Sequence, residues 1–160
     1  MVYQMAHLLK ADPDMTVEEA AAAARTISEQ AHMCFLPDNL DYLRAGGRVS
    51  NTVALVGNVL SLHPCIEVVD GKLLARKKYR GKLIRIIPSL ISDQAEKYRL
   101  KKDHLYFIWS AGLSDDVKAA AETSAKECGF EPTTWIKTGC VITCHGGPRA
   151  FGIVGFSESD

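Results

Sequence analysis

The sequence predicts an α+β domain in which helices cover a mixed, mostly antiparallel sheet of about six strands. Three observations carry that expectation. Two alternating runs flank Asp70-Gly71 in "PCIEVVDGKLLARKKY", and Asp-Gly favours the tight two-residue turn of a hairpin. The stretches "HMCFL" and "HLYFIW" are too continuously apolar to leave one sheet face in water, so helices must cover them. Strand-like and helix-like segments also interleave along the whole chain, with one clear hairpin among them.

Each element has a local reason. "YQMAHLLK" reads as a short opening helix, and "DPDMTVEEAAAAARTISEQ" as a longer one. Thr16 can cap the second helix with Glu19 three residues on, and its alanines have the best helix propensity. "HMCFLP" is a buried strand ended by Pro37, and "DNLDYLRAGG" a helix capped by Asp38 and stopped by Gly46 or Gly47. "SNTVALVGNVLSL" places Val53, Val56 and Leu60 on one face of an apolar helix starting at Ser50. After the hairpin, "KLIRIIPSLISDQAEKYR" is helical, with Pro88 either kinking it or starting its main segment. "HLYFIWSA" is a strand, "SDDVKAAAETSAKECG" a helix from Ser114 to Gly129, and "TTWIKTG" and "AFGIVGF" are the last two strands.

Composition bounds the function. A chain of 160 residues is normally one domain, here 1–160. Nineteen basic residues balance nineteen acidic ones, so net charge gives no reason to expect nucleic acid or an acidic membrane. No signal peptide is visible, and no apolar run approaches the roughly 20 residues of a membrane span. Five cysteines without a CxxC pair read as reduced thiols of a cytoplasmic protein.

Three stretches bear chemistry. In "YLRAGGRVS", Gly46 and Gly47 let backbone approach a ligand, and Arg48 offers a planar fork suited to a carboxylate or phosphate. A plain glycine helix stop with a solvated arginine is the alternative. In "TCHGGPRAFG", Cys144 and His145 invite a nucleophilic pair, with Cys140 nearby. Adjacency in an extended segment would point those side chains apart, and the familiar further zinc ligands are missing. An imidazole among glycines can instead donate to an anion, or simply bond to its own turn. "RKKYRGKLIR", six basic residues in ten, reads as a solvated rim of the hairpin, with docking of an acidic partner as the functional alternative.

Taken in order, "LDYLRAGGRVS", the apolar helix, "HPCIEVVDGKLLARKKYRGKLI" and "TGCVITCHGGPRAFGIVGF" resemble the DegV family of bacterial fatty-acid-binding proteins. The resemblance spans nearly the whole chain and implies the fold of the family's C-terminal domain, without its N-terminal α/β domain. It implies a binding protein that is not itself an enzyme, with no cofactor or metal and a long-chain fatty acid as ligand. The acyl chain would lie in a tunnel completed by the N-terminal domain. Arg48 and His145 would then sit at the carboxylate, with Gly46, Gly47, Ser50, Cys144 and Arg149 around them. Some members present the acyl carboxylate to a separate fatty acid kinase, which the resemblance makes an expected partner. A thiol-dependent hydrolase using Cys144 or Cys140 with His145 is the alternative. The chain departs from the family pattern where Thr143 and Cys144 replace glycine and threonine, and where Arg149 replaces a glycine.

Overall fold

A computed structural model describes residues 1–47 and 62–158 of the chain. Helices α1 (Val2–Ala11) and α2 (Val17–Gln30) open it, and α2 starts on the expected capping box. Thr16 Oγ1 accepts the Glu19 N–H at 3.3 Å, and the Glu19 carboxylate accepts the Thr16 N–H at 2.9 Å. Strand β1 (Ala31–Leu36) follows and stops at Pro37. Helix α3 (Asp41–Ala45) begins later than its sequence suggests. Asp38 does not cap it: Asn39 Oδ1 accepts the Asp41 N–H at 3.1 Å, while the Asp38 carboxylate is taken by Arg149. Gly47, at φ 67°, is the left-handed residue that ends this helical turn. The apolar helix expected from Ser50 through Leu60 lies outside the described residues.

The hairpin forms as read. Strands β2 (Leu62–Val69) and β3 (Lys72–Arg80) are joined through Asp70 at φ 50° and Gly71 at φ 72°, both left-handed as a type I′ turn requires. Helix α4 (Leu83–Lys97) runs through Pro88 rather than starting there. The proline removes one intrahelical donor, and the carbonyl it leaves belongs to Ile84, an exposed residue that water reaches. Strand β4 (Leu105–Trp109) and helix α5 (Asp115–Glu127) come next. Ser114 occupies the cap position of α5, although its side chain makes no capping bond among the described residues. Strand β5 (Thr133–Lys137), helix α6 (Cys140–Gly146) and strand β6 (Phe151–Phe156) complete the chain. Helix α6 has no counterpart in the sequence reading, which assigns no element there and weighs Cys144-His145 as extended chain or turn.

The six strands form one sheet in the order β3-β2-β1-β6-β4-β5, antiparallel except for the β4–β5 pair. The mixed, mostly antiparallel α+β sheet is therefore as expected. Edge strand β3 carries Arg76, Lys77, Lys78 and Arg80 exposed, a charge row that blunts pairing with another chain. Alternation divides the sheet into two unlike faces. Cys34, Leu36, Cys65, Leu105, Phe107, Phe151 and Ile153 pack under α4 and α5 in the main core. Phe35 and Ile66 point the other way, toward Leu40 and Leu43 of the α3 segment.

One carboxylate ties the hairpin to the helical layer. Glu67 on β2 is 2% exposed. It accepts from Gln94 at 2.9 Å, from Lys97 at 2.8 and 2.6 Å, and from Tyr98 at 2.7 Å. Burial pushes its carboxyl up, but the bonds from Lys97, Tyr98 and Gln94 outweigh burial and hold it below its ordinary value. Its stabilisation is therefore complete above the ordinary carboxylate value of about 4.3 and is lost as pH falls through the lowered folded value. Denaturant unfolding repeated from pH 7 down to pH 3 should show stability falling below roughly pH 4. The order of two variants follows from burial. Lys97→Met strands a buried charge and should cost about 3 kcal/mol. Glu67→Ala should cost less, because the half-exposed Lys97 regains water. Urea midpoints at neutral pH give that order directly.

Candidate functional site

Among the described residues, the face of the sheet away from α4 and α5 carries an open groove. Met33 and Phe35 of β1, Val68 of β2 and Ile108 of β4 wall an apolar groove of about 450 Å³, with Gly152 of β6 beneath it. A volume of that order suits a small ligand. Gly152 has no space for a side chain, since a Cβ would lie 2.7 Å from the Cys34 carbonyl oxygen and 2.9 Å from Phe35 Cβ. Leu43 of α3 also lines the groove, and Val141 and Ile142 of α6 form its largely exposed rim.

Polar groups gather where β4 and β5 end. Ser110, Thr138 and His145 all line the groove. Ser110 is buried and bonds on both sides: its hydroxyl donates to the Gly147 carbonyl at 2.7 Å and accepts the Ala150 N–H at 2.8 Å. This fastens the turn after α6 to the end of β4. Thr138 and Thr143 share a hydroxyl contact at 2.9 Å, and Thr143 also donates to the Gly139 carbonyl. Both hydroxyls are thus engaged within the wall. The imidazole differs: His145 Nδ1 is buried and has no hydrogen-bond partner among the described residues. It lies against Gly46, where a Cβ would be 2.2 Å from Nδ1.

The structure therefore brings together two motifs far apart in sequence, "AGG" at the end of α3 and "CHGG" at the end of α6. Gly147, at φ 81°, adds a second contact between them, its Cα packing so closely on the Tyr42 ring that a Cβ would come within 2.8 Å of it. Arg48 follows Gly47 directly in the chain, but Arg48 and Ser50 lie outside the described residues. Cys140 and Cys144 are exposed on α6. Because the segment is helical, these two thiols sit one turn apart, and Cys144 is not opposite His145 as an extended chain would place it. Neither thiol is hydrogen-bonded to the imidazole among the described residues. No group of three or more His, Cys, Asp and Glu side chains converges at metal-binding range among the described residues. No helix of the described residues is long and apolar enough to cross a membrane. Arg149 turns out of the groove to Asp38, and its backbone takes the left-handed conformation at φ 59° that a glycine would adopt freely.

A family model described as an uncharacterised protein of the DegV family, COG1307, matches residues 1–158. The chain belongs to the DegV family. A fatty acid-binding protein of Thermotoga maritima is 34% identical over 125 residues, covering 76% of this chain and 41% of that one. Among solved structures, a DegV protein of Eubacterium eligens loaded with heptadecanoic acid superposes with a TM-score of 0.83 at 16% identity, over 98% of this chain and 55% of that one. The fatty acid kinase B3 protein of Streptococcus pneumoniae, loaded with linoleic acid, gives 0.82 at 15% identity, over 98% and 54%. At these identities the structures establish the DegV fold rather than the ligand. The chain spans about half the length of the curated relatives it matches.

Sequence reasoning singled out His145 and the glycine pair but missed Ser110, Thr138 and Gly152. Ser110 stood as the polar end of an apolar strand, a weak signal that gains meaning only when β6 is placed beside β4. The Gly46–His145 contact yields a direct test. Gly46→Ala must displace the imidazole, because the nearest atoms are a ring nitrogen and the Tyr42 carbonyl oxygen at 3.2 Å. It should cost about 1–3 kcal/mol as an overpacking change. The ¹⁵N signals of the His145 ring should shift with it, which NMR of the labelled variant reads alongside the unfolding midpoint.

Proposed function

We propose that this DegV-family chain binds a long-chain fatty acid, with the acyl chain along the groove and the carboxylate at the end where His145 meets Gly46. The observation that carries this reading is the pairing of an apolar groove with one buried, unpartnered imidazole nitrogen in its polar end. Burying methylenes contributes about 0.8 kcal/mol each, so an acyl chain supplies ample gross affinity against the cost of association. A carboxylate leaving water needs donors in return. An imidazole N–H is such a donor, and Nδ1 has no partner among the described residues. Arg48, one residue beyond the Gly46-Gly47 turn, is assigned as the charged partner of the carboxylate. Gly46 and Gly47 keep the backbone close, Ser50 and Cys144 are assigned to the surroundings of the seat, Arg149 acts from outside the groove through Asp38, and a second domain like the remainder of the longer relatives completes the tunnel.

On the same reading the protein is a carrier and not an enzyme, and it offers the carboxylate to a separate fatty acid kinase. The likeness of fold to a protein named for that kinase supports this role. Mass spectrometry of lipid extracted from the purified protein should find a long-chain fatty acid, and repeated absence of any acyl species overturns the proposal. In a binding titration, Arg48→Ala and His145→Ala should each weaken affinity about tenfold, the scale of one hydrogen bond to a charged group. Lys78→Ala on the exposed rim should leave affinity unchanged.

A further inference from the structure

Three contacts join the α3 segment to the end of α6, and they fall in register. Asp38, Tyr42 and Gly46 are spaced by four residues on one side, and Arg149, Gly147 and His145 by two on the other. Asp38 receives Arg149 Nη2 at 2.5 Å and Nε at 3.2 Å. The Tyr42 ring lies on Gly147, and Gly46 lies on His145 Nδ1. The seam closes with the ion pair at one end and the imidazole at the other.

Arg149 holds its place at a conformational cost. A non-glycine residue at φ 59° is disfavoured by contact of its Cβ with backbone, and such a residue persists only where its surroundings over-determine it. The surroundings here do so. The Arg149 N–H donates to the Ala111 carbonyl at 2.9 Å. Its Cγ packs on Gly112, where a Cβ would stand 3.1 Å away. Its guanidinium reaches Asp38, across 111 positions of sequence. Of the other two left-handed non-glycine residues among the described residues, Asp70 belongs to the hairpin turn and Arg99 follows the end of α4, so neither spans two elements at the groove.

We propose that the Asp38–Arg149 ion pair is a clasp that presses α3 against α6 and so fixes where the His145 imidazole sits in the polar end of the groove. Arg149 is on this view a positioning residue: it acts through the seam and does not touch the ligand. The proposal rests on the fatty-acid reading for its functional consequence, but its structural part stands on the seam alone. It also accounts for a charged residue where the family pattern has glycine, since glycine would satisfy the backbone but leave Asp38 without its partner.

The test is a charge-swap cycle in the intact protein, with palmitate as the probe. Arg149→Gly and Asp38→Asn should each weaken palmitate binding about three- to tenfold, and together no more than either alone, because both break one interaction. Asp38→Arg combined with Arg149→Asp should restore affinity to within about twofold of the parent, aspartate being among the residues that tolerate a left-handed backbone. In ligand-free protein, the His145 ring nitrogens and the Gly46 amide should shift in both single variants and return in the swap. Single variants that bind like the parent, losses that simply add, or ring signals that stay put overturn the clasp. If the parent protein takes up no fatty acid at all, the fatty-acid reading fails while the ring signals still decide whether the clasp exists.

Discussion

The fold depends on β6 being the strand between its two halves. It pairs antiparallel with β1 on one side and with β4 on the other, so the β1–β2–β3 meander and the β4–α5–β5 unit share one sheet only through it. A strand in that position must have both edges bonded and both faces compatible with burial, which is why "FGIVGF" contains nothing ionisable. The turn that delivers the chain into this strand therefore has little freedom. Ser110 bonds it at two points, Arg149 bonds it at a third through the Ala111 carbonyl, and the imidazole is carried on its N-terminal side. The placement of a polar group at the groove is a by-product of closing the sheet.

The two faces of the sheet divide the labour. One is filled with aliphatic and aromatic side chains under α4 and α5, and its buried carboxylate is satisfied by four bonds within the layer. The other, among the described residues, keeps an open groove whose polar wall atoms are mostly engaged with one another. The first face holds the packed core and the second the open groove. Glu67 and His145 illustrate the contrast: the Glu67 carboxylate and the His145 Nδ1 atom are both buried, but only the first has its partners among the described residues.

Much of the fold was legible because its signals are local. Thr16 with Glu19, and Asp70 with Gly71, specify their structures within four residues, and both form as read. The failures share the opposite cause. Asp38 looks like a helix cap until a guanidinium 111 positions away claims it. "CVITCHG" is rich in β-branched residues between glycines, a strand-like composition, yet it is helical where it meets α3 across the seam. The resemblance to the DegV family put Arg48 and His145 in one site, and no local rule would have done so. In the structure His145 lies against Gly46, and Arg48 lies outside the described residues.

Gly152 has a consequence for how such a protein can diversify. Its missing side chain makes the floor of the groove a bare stretch of backbone, pressed against the Cys34 carbonyl and Phe35. Any larger residue there would prise β6 from β1 before it altered what the groove accepts. The floor is thus fixed by backbone packing, whereas Val141 and Ile142 on the rim are largely exposed among the described residues. The shape of the groove can therefore change along the rim without disturbing the sheet, and at the floor it cannot.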